Sequence, residues 1–248
     1  MAKSTSEALE GTLPGEGMLF MVPTPIGNLE DITLRALNTL KTCDLILAED
    51  TRHSGILLKH YGIQKPLLSY HKFNESARQE QILGRLAEGQ QLALISDAGT
   101  PGISDPGERI VREVIHHGYT VQALPGASAG ISALCASGLP TSEFHFLGFL
   151  DRKSARRRRK LEACLELPGT LVLYESPHRM EKLLEELHDL MPKRVVVIAR
   201  ELTKKFEQWT RGRAEDLFAR RESIRIKGEF VVLIGPDGFD PFSDMPTQ

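Results

Sequence analysis

Residues 96–107 read SDAGTPGISDPG, a loop that lies between an apolar run and an amphipathic segment. Asp105, Pro106 and Glu108 predict the start of a helix, with Asp105 as its N-cap. Ile110 and Val114 fall on the apolar face of that helix. With three glycines, two prolines and two aspartates, the loop is more elaborate than a minimal connection. This strand–loop–helix order is the repeating unit of an α/β fold.

The same alternation of apolar and amphipathic segments extends in both directions from this loop and forms two series. In the first series, strands are predicted at residues 19–23, 45–49, 67–70, 92–96 and 120–124. In the second, they are predicted at residues 144–148, 170–174, 194–199 and 229–234, with a further strand or hairpin near 206–211. The fold class is therefore α/β, with one α/β domain over residues 18–138 and another over 139–236. The boundary is placed between Ser137 and Ser142, residues 1–17 are expected to be a flexible leader, and residues 237–248 a tail.

Composition narrows the class of protein. The chain has 248 residues and a formal net charge of −2, so phosphate binding needs a local basic patch. Cys43, Cys135 and Cys164 match neither a disulfide framework nor paired zinc ligands, which favours the reducing cytoplasm and no metal. No apolar run approaches the roughly 18 residues that span a bilayer, so no membrane association is expected.

Three loops that follow predicted strands are candidate ligand sites. They are PTPIGN at 23–28, the loop at 96–107 and PGASAG at 125–130. In open α/β sheets ligands collect beyond the carboxyl ends of strands. Gly27 is expected to adopt a turn conformation closed to other residues, and the small residues of the third loop would admit a flat ligand such as adenosine. None of the loops has the spacing of a P-loop or a GxGxxG fingerprint. Ordinary loop punctuation is the favoured explanation of any one loop alone, and the functional interpretation depends on all three following strands.

Two charged clusters also follow predicted strands, AEDTRH at 48–53 and YESPHR at 174–179. Each places carboxylates and bases where a substrate could meet them. The candidate catalytic residues are Glu49, Asp50, Arg52, Glu175 and Arg179. For each of them, helix capping or a surface ion pair is the alternative role.

A basic segment, RKSARRRRK at 152–160, contains seven basic residues in nine. Such a density predicts contacts with nucleic-acid phosphates, although a solvated basic helix face is the alternative. The candidate RNA-binding residues are Arg152, Lys153, Arg156, Arg157, Arg158, Arg159 and Lys160.

Taken together, these segments resemble one family. PTPIGNLEDITLRAL from residue 23, AEDTR from 48, SDAGTPGISDPG from 96, PGASA from 125 and YESPHR from 174 are similar in order and spacing to ribosomal RNA small-subunit methyltransferase I. The resemblance extends over residues 18–235. Members often carry a further C-terminal helical segment, and the short C-terminus here leaves open whether an RNA-contacting module is missing.

The resemblance implies a tetrapyrrole-methylase fold of two α/β domains, with S-adenosylmethionine in the cleft between them, and a homodimer. It implies in-line 2′-O-methylation of a decoding-region cytidine in 16S rRNA, a nucleotide that another enzyme methylates on its base. By analogy, the residues that contact the cofactor are Pro23, Thr24, Ile26, Gly27, Asp97, Ile103, Ser128, Ala129 and Tyr174.

The assignment of a general base stays open between Glu49, Asp50 and Glu175, with Arg52 and Arg179 orienting ribose or phosphate. One rival is a methylase of tetrapyrroles or other small molecules, which would have no use for the basic segment. Another is a noncatalytic RNA-binding or ribosome-assembly factor that keeps the cofactor pocket as a relic. Whether naked RNA or the assembled subunit is the substrate is also open.

Overall fold

A computed structural model describes residues 17–241, and the described chain divides into two compact units. The first unit comprises residues 17–25 and Asp31–Gly126, and the second comprises Ile26–Glu30 and residues 127–241. The predicted boundary between Ser137 and Ser142 falls later, after a helix that the structure assigns to the second unit. The predicted leader and tail lie mostly outside the described residues.

The first unit is built on a five-stranded parallel sheet, and its five strands are those that the sequence predicted. Its strands are β1 (Met18–Met21), β2 (Leu45–Ala48), β3 (Leu67–Ser69), β4 (Gln91–Ile95) and β5 (Thr120–Ala123). They lie in the order β3-β2-β4-β1-β5. Every pairing is parallel, and the register places Met18 beside Gln91 of β4 and beside Thr120 of β5. Because both faces of the sheet are covered, the inner strands β1, β2 and β4 are apolar runs rather than alternating ones.

Four helices cover the two faces of this sheet. They are α1 (Leu34–Thr42), α2 (Thr51–His60), α3 (Glu75–Ala87) and α4 (Glu108–His116). Successive strand residues point to opposite faces, so Phe20 packs with α1 and α2, whereas Leu19 packs with α3 and α4. Strand, helix and strand therefore alternate around a core on each side of the sheet.

The start of α4 differs from the sequence prediction. Asp105 is not its N-cap, because the helix begins at Glu108 after Gly107, whose φ is 143°. The carboxylate of Glu75, in α3, accepts a hydrogen bond from the Gly107 backbone N–H at 3.3 Å. A residue remote in sequence thus replaces the local cap, and the Asp105 side chain interacts with Ser96 instead.

The second unit contains a mixed five-stranded sheet. Its strands are β6 (Phe144–Phe149), β7 (Thr170–Glu175), β8 (Val195–Arg200), β9 (Gln208–Arg213) and β10 (Phe230–Ile234), which confirms the predicted strands and the extra one near 206–211. Their order is β6-β7-β10-β8-β9. Only the β6–β7 pair is parallel, and its register shifts between Phe146 and Gly148.

Helices also pack on both faces of the second sheet. They are α5 (Ala129–Ser137), α6 (Ser154–Glu162), α7 (Met180–Leu190) and α8 (Ala214–Ala219). One core joins α6, α7 and α8 to Leu171 and Leu173 of β7. The other joins α5 to Val172 and also includes Ile26, which explains why residues 26–30 belong to this unit.

No helix in residues 17–241 combines the length and apolar character needed to cross a membrane. All three cysteines are free thiols, with Cys43 and Cys164 buried and Cys135 exposed.

Candidate active site

The topology of the first sheet defines a crevice between β4 and β1. The chain leaves β1 for α1 on one face and leaves β4 for α4 on the other face, so the connections diverge between these neighbours. In open α/β sheets ligands bind beyond the carboxyl ends of strands at such a switch point. Two of the predicted loops, at 23–28 and 96–107, begin there.

Hydrogen bonds hold these two loops against each other. Thr24 and Gly99 form a two-way backbone bridge, with N···O distances of 2.9 and 3.0 Å. The buried hydroxyl of Thr24 donates to the Ser96 carbonyl at 3.1 Å, and that of Ser96 donates to the Gly99 carbonyl at 3.1 Å. The Thr24 side chain is therefore used internally, so this residue can offer a ligand a rigid wall rather than a free hydroxyl.

Three carboxylates converge beyond β2 and β4. Asp97 accepts a hydrogen bond from the Asp50 N–H at 3.2 Å, which ties the two strand ends together. Burial, together with the charge of Asp97, raises the pKa of Glu49. Burial and the charges of Glu49 and Asp97 raise the pKa of Asp105 to about 6. These three carboxylates repel one another in a site that is partly shielded from water. The site therefore favours binding of a proton or a cation.

Asp50 and Arg52 have a different environment from Glu49. Asp50 caps α2 by accepting hydrogen bonds from the backbone N–H groups of Arg52 and His53. Its carboxylate also pairs with the Arg52 guanidinium at 3.1 Å. Hydrogen bonds from the Arg52 side chain and backbone lower the pKa of Asp50 to about 2. These contacts fit the alternative role of Asp50 and Arg52, which is helix capping and a surface ion pair.

A cleft of about 480 Å³ adjoins these carboxylates within the first unit. Acidic and basic side chains both line it, and the loop before α4 forms part of its wall. The lining residues are Glu49, Lys72, Glu75, Ser104, Asp105, Pro106, Gly107, Glu108, Arg109 and Arg112. The guanidinium of Arg109 bonds to the neutral Gln79 and Ser76, so its charge is not offset by a carboxylate in those contacts. Ile103, in the same loop, is 46% exposed.

In the second unit, Tyr174 lies against the start of α5. Its hydroxyl accepts a hydrogen bond from the Gly130 N–H at 3.1 Å. Ser128 is the N-cap of α5 and makes no side-chain capping bond, and Ala129 is the first helical residue. The structure therefore brings together Ser128, Ala129 and Tyr174, which the resemblance assigned to the cofactor.

Glu175 and Arg179 form a buried pair at the end of β7. The Glu175 side chain is fully buried, and Arg179 donates from Nε to its Oε1 at 2.7 Å. Arg179 also donates from Nη1 to the Leu150 carbonyl at 2.9 Å. Burial raises the pKa of Glu175, while the Ser176 N–H and Arg179 oppose the rise. These contacts anchor β7 to the residue after β6, which is a structural role.

Gly27 is required for close packing rather than for an unusual backbone angle. Its φ is not positive, contrary to the expected turn conformation. A Cβ at this position would overlap the Lys204 side chain and lie 3.0 Å from the Leu202 carbonyl oxygen. The neighbouring Ile26 side chain is buried in the core of the second unit.

Only some residues of the basic segment, 152–160, are exposed on the protein surface. Arg157 is 2% exposed, and its guanidinium donates to both carboxylate oxygens of Glu186. It is therefore not available to contact RNA phosphates, which corrects the sequence prediction. Arg156 and Arg158 are paired with Asp151 and Asp189 near the surface. The remaining residues are exposed, with no ion pair within residues 17–241: Arg152, Lys153, Arg159 and Lys160.

Sequence reasoning missed Asp105 and the basic side chains of the cleft. The capping pattern of Asp105 and Pro106 concealed the first. Lys72, Arg109 and Arg112 lie on segments with no unusual composition, so no sequence signal indicated them.

Comparison with known proteins defines the class. Residues 18–217 match the family model of Tetrapyrrole (Corrin/Porphyrin) Methylases. The fold is shared with a solved diphthine synthase at a TM-score of 0.71, with 16% identity over 91% of this chain and 92% of that one. A uroporphyrin-III C-methyltransferase from Thermus thermophilus, solved with S-adenyl homocysteine, has a TM-score of 0.60 and 21% identity over 89% of this chain and 97% of that one. The chain belongs to the tetrapyrrole methylases.

More similar relatives narrow the assignment. The chain is 48% identical, over 88% of its length and 78% of the relative, to Ribosomal RNA small subunit methyltransferase I of Haemophilus influenzae. The protein of the same name from Halalkalibacterium halodurans is 45% identical over 90% of this chain and 77% of the relative. Within the tetrapyrrole methylases, the chain therefore belongs to the ribosomal RNA small subunit methyltransferase I family.

Proposed function

We propose that the protein is an S-adenosylmethionine-dependent methyltransferase that acts on the 2′-hydroxyl of a decoding-region cytidine in 16S rRNA. The observation that carries the proposal is the placement of Glu49 and Asp105 on one cleft at the strand ends, in a chain of this family. The cleft supplies proton acceptors and basic side chains together. A ribose next to a phosphate needs both.

The residues at the crevice fit a cationic cofactor. S-adenosylmethionine, when bound, supplies a methyl group on a positively charged sulfonium for in-line transfer. Burial is the main cause of the raised pKa values of Glu49 and Asp105, and neighbouring carboxylates add to it. A positive ligand placed beside them would stabilise their ionised forms. In the first unit we assign the cofactor contacts to Pro23, Thr24, Asp97 and Ile103. In the second unit, the assignment comprises Ser128, Ala129 and Tyr174, with Ile26 and Gly27 contributing backbone.

Glu49 is our first choice of general base among the three original candidates, and Asp105 joins it. A base works best when its pKa lies near the working pH. The pKa of Asp50 is about 2, because Arg52 and two backbone N–H groups stabilise its carboxylate, so it is a weak base. Glu175 is fully buried behind Arg179. Glu49 and Asp105 both line the open cleft, and we assign the proton of the ribose hydroxyl to Glu49, with Asp105 as the second candidate.

Basic side chains are proposed to position the RNA. On the cleft, Lys72, Arg109 and Arg112 lie on the same walls as the two carboxylates and suit phosphates that flank the ribose. Arg52 is 90% exposed and stays a candidate for such a contact. Arg179 is held by Glu175 and Leu150, so we assign it a supporting role.

The family resemblance adds a homodimer in the cytoplasm to this proposal. Sedimentation of the purified chain would test the dimer, and cell fractionation would test the compartment.

The test of the function compares possible acceptors in parallel. The purified chain is incubated with labelled S-adenosylmethionine and undermethylated small subunits, free 16S rRNA or a tetrapyrrole. We expect label in ribosomal RNA, and the competent arm identifies whether the assembled subunit is needed. Label on the macrocycle would support the small-molecule alternative. RNA binding without label in any arm would support the noncatalytic one.

A further inference from the structure

An edge strand of the second sheet exposes a row of aromatic side chains. β6 lies at the end of the sheet order, and the exposed fractions are 39% for Phe144, 39% for Phe146 and 57% for Phe149. Large exposed aromatics on an edge strand are unusual, because edges are normally protected by charge or covered. Such residues mark surfaces that meet a ligand or a partner.

Two of these rings are held from behind by Tyr174. Its ring meets Phe146 edge-on at 5.1 Å between centroids and Phe149 at 5.5 Å. The Tyr174 hydroxyl is itself fixed by the Gly130 N–H. Edge-to-face packing favours a defined ring orientation. Phe149 is therefore a supported ring with more than half of its surface open to a ligand.

Two basic residues, Arg152 and Lys153, follow Phe149 closely in the sequence. Arg152 and Lys153 are exposed, and neither forms an ion pair within the described residues. The turn between the ring and the cluster is fixed, since Asp151 accepts from the Lys153 N–H at 2.8 Å and Leu150 accepts from Arg179. Arg152 lies three residues after Phe149 and Lys153 lies four after it, so their Cα atoms are at most roughly 11 and 14 Å from that of Phe149. Neighbouring nucleotides of one RNA strand can therefore reach the ring and both cations.

We propose that Phe149, supported by Phe146 and Tyr174, stacks on an unpaired RNA base while Arg152 and Lys153 contact the adjacent phosphates. This inference rests on the proposed function and extends it by naming the residues that select single-stranded RNA. Proteins bind single strands by this combination, in which rings stack on bases and a positive surface follows the backbone.

The charge of the surface favours RNA over a second copy of this chain. Protein interface cores are depleted of charge, whereas four exposed cations of the basic segment form no ion pair within residues 17–241. Two such surfaces in contact would repel each other, but a polyanion gains from every one of these charges.

The experiment measures binding of a short single-stranded RNA across a salt series. Phe149→Ala should weaken binding about 5- to 150-fold, the range for one lost base stack, without changing the slope of log K against log salt. Phe149→Tyr should restore binding. Arg152→Gln with Lys153→Gln should instead reduce the slope by about 0.7 for each lost phosphate contact.

Phe144→Ala is the matched control, because it removes an exposed ring from the same strand that makes no ring contact with Tyr174. It should bind RNA like the parent. Equal unfolding curves for the variants would exclude a folding defect.

Parental binding by Phe149→Ala, failure of Phe149→Tyr to restore binding, or a changed salt slope for Phe149→Ala would overturn the inference. An unchanged salt slope for the Arg152 and Lys153 double variant would overturn it too. Dissociation of a dimer by Phe149→Ala would overturn it in favour of a self-association surface. These results are distinguishable from failure of the proposed function, because the parent would still methylate rRNA. If the parent protein neither binds nor methylates RNA, the proposed function and this inference are both wrong.

Discussion

Replacement of Glu186 by Ala should destabilise the second unit strongly. The side chains of Arg157 and Glu186 are only 3% and 1% exposed. Arg157 Nη2 donates to Glu186 Oε1 at 2.8 Å, and the Ser154 hydroxyl donates to the same oxygen at 2.7 Å. Removal of the carboxylate would leave a buried guanidinium without its counter-charge. Breaking a buried pair in this way costs about 3–5 kcal/mol in the free energy of unfolding.

Urea unfolding followed by tryptophan fluorescence measures this loss. Trp209 is the only tryptophan in the chain and lies in β9, so its signal reports on the second unit. Asp189→Ala is the control, since it removes the partner of Arg158 from a pair whose side chains are 34% and 44% exposed. That variant should lose at most about 1 kcal/mol.

A double variant, Arg157→Met with Glu186→Leu, separates loss of the pair from loss of a partner. It should regain most of the stability, because an apolar pair of similar volume is often as stable as a buried ion pair. The reasoning is refuted if Glu186→Ala costs no more than Asp189→Ala, or if the double variant is as unstable as the single one.

Three further predictions concern the first unit and Gly27. Glu49→Gln should abolish methyl transfer while cofactor binding persists. Asp50→Ala should keep transfer and lose some stability with its helix cap, and equal transfer by both variants would contradict the assignment. The pKa of Asp105 is about 6 in the folded chain, above its ordinary 3.8, so the folded chain binds this proton more tightly than the unfolded chain does. The resulting contribution to the free energy of unfolding is fully present below pH 3.8 and is lost as the pH rises through 6. Asp105→Asn should therefore raise the urea midpoint at pH 7.5 but not at pH 3.5, and an unchanged midpoint at pH 7.5 would argue against a strained carboxyl. Gly55 lies in α2, where an added Cβ would meet open space, so Gly55→Ala should stabilise the protein by up to about 1 kcal/mol in thermal unfolding. Gly27→Ala should destabilise the protein, and the opposite order would contradict the packing described for Gly27.

The strands and the loops at their ends were predictable because parallel strands that are buried on both faces have continuous apolar sequences. Leu92, Ala93 and Leu94 are all nearly fully buried, so β4 stands out without any alternation. The carboxyl ends of such strands meet at one edge, which is why Glu49 and Asp97 could be expected near each other before the topology was known.

The role of Arg157 was concealed by composition, although its spacing carried a signal. It precedes the buried Leu161 by four residues, so the two share one helical face. A run of arginines suggests a uniform surface, yet a helix that packs on a core must turn one member inward. The identity of its partner, Glu186, comes from a different helix and could not be read locally.

The environment of Asp105 could not be predicted for a similar reason. Its capping role was plausible from local sequence alone, but Glu75 caps α4 from another helix. The positive φ of Ser104, at 65°, and that of Gly107 interrupt the helix before Asp105 can enter it. The raised pKa then depends on Glu49 and Asp97, which follow two other strands.

The chemical position of the transferred label tests the central claim most directly. After incubation with labelled S-adenosylmethionine and undermethylated small subunits, the rRNA is hydrolysed in alkali, which cleaves only where a 2′-hydroxyl is free. We predict that the label remains in one alkali-resistant dinucleotide that begins with cytidine, and that Glu49→Gln removes it. Label released in an ordinary mononucleotide would place the methyl group on a base and contradict the account.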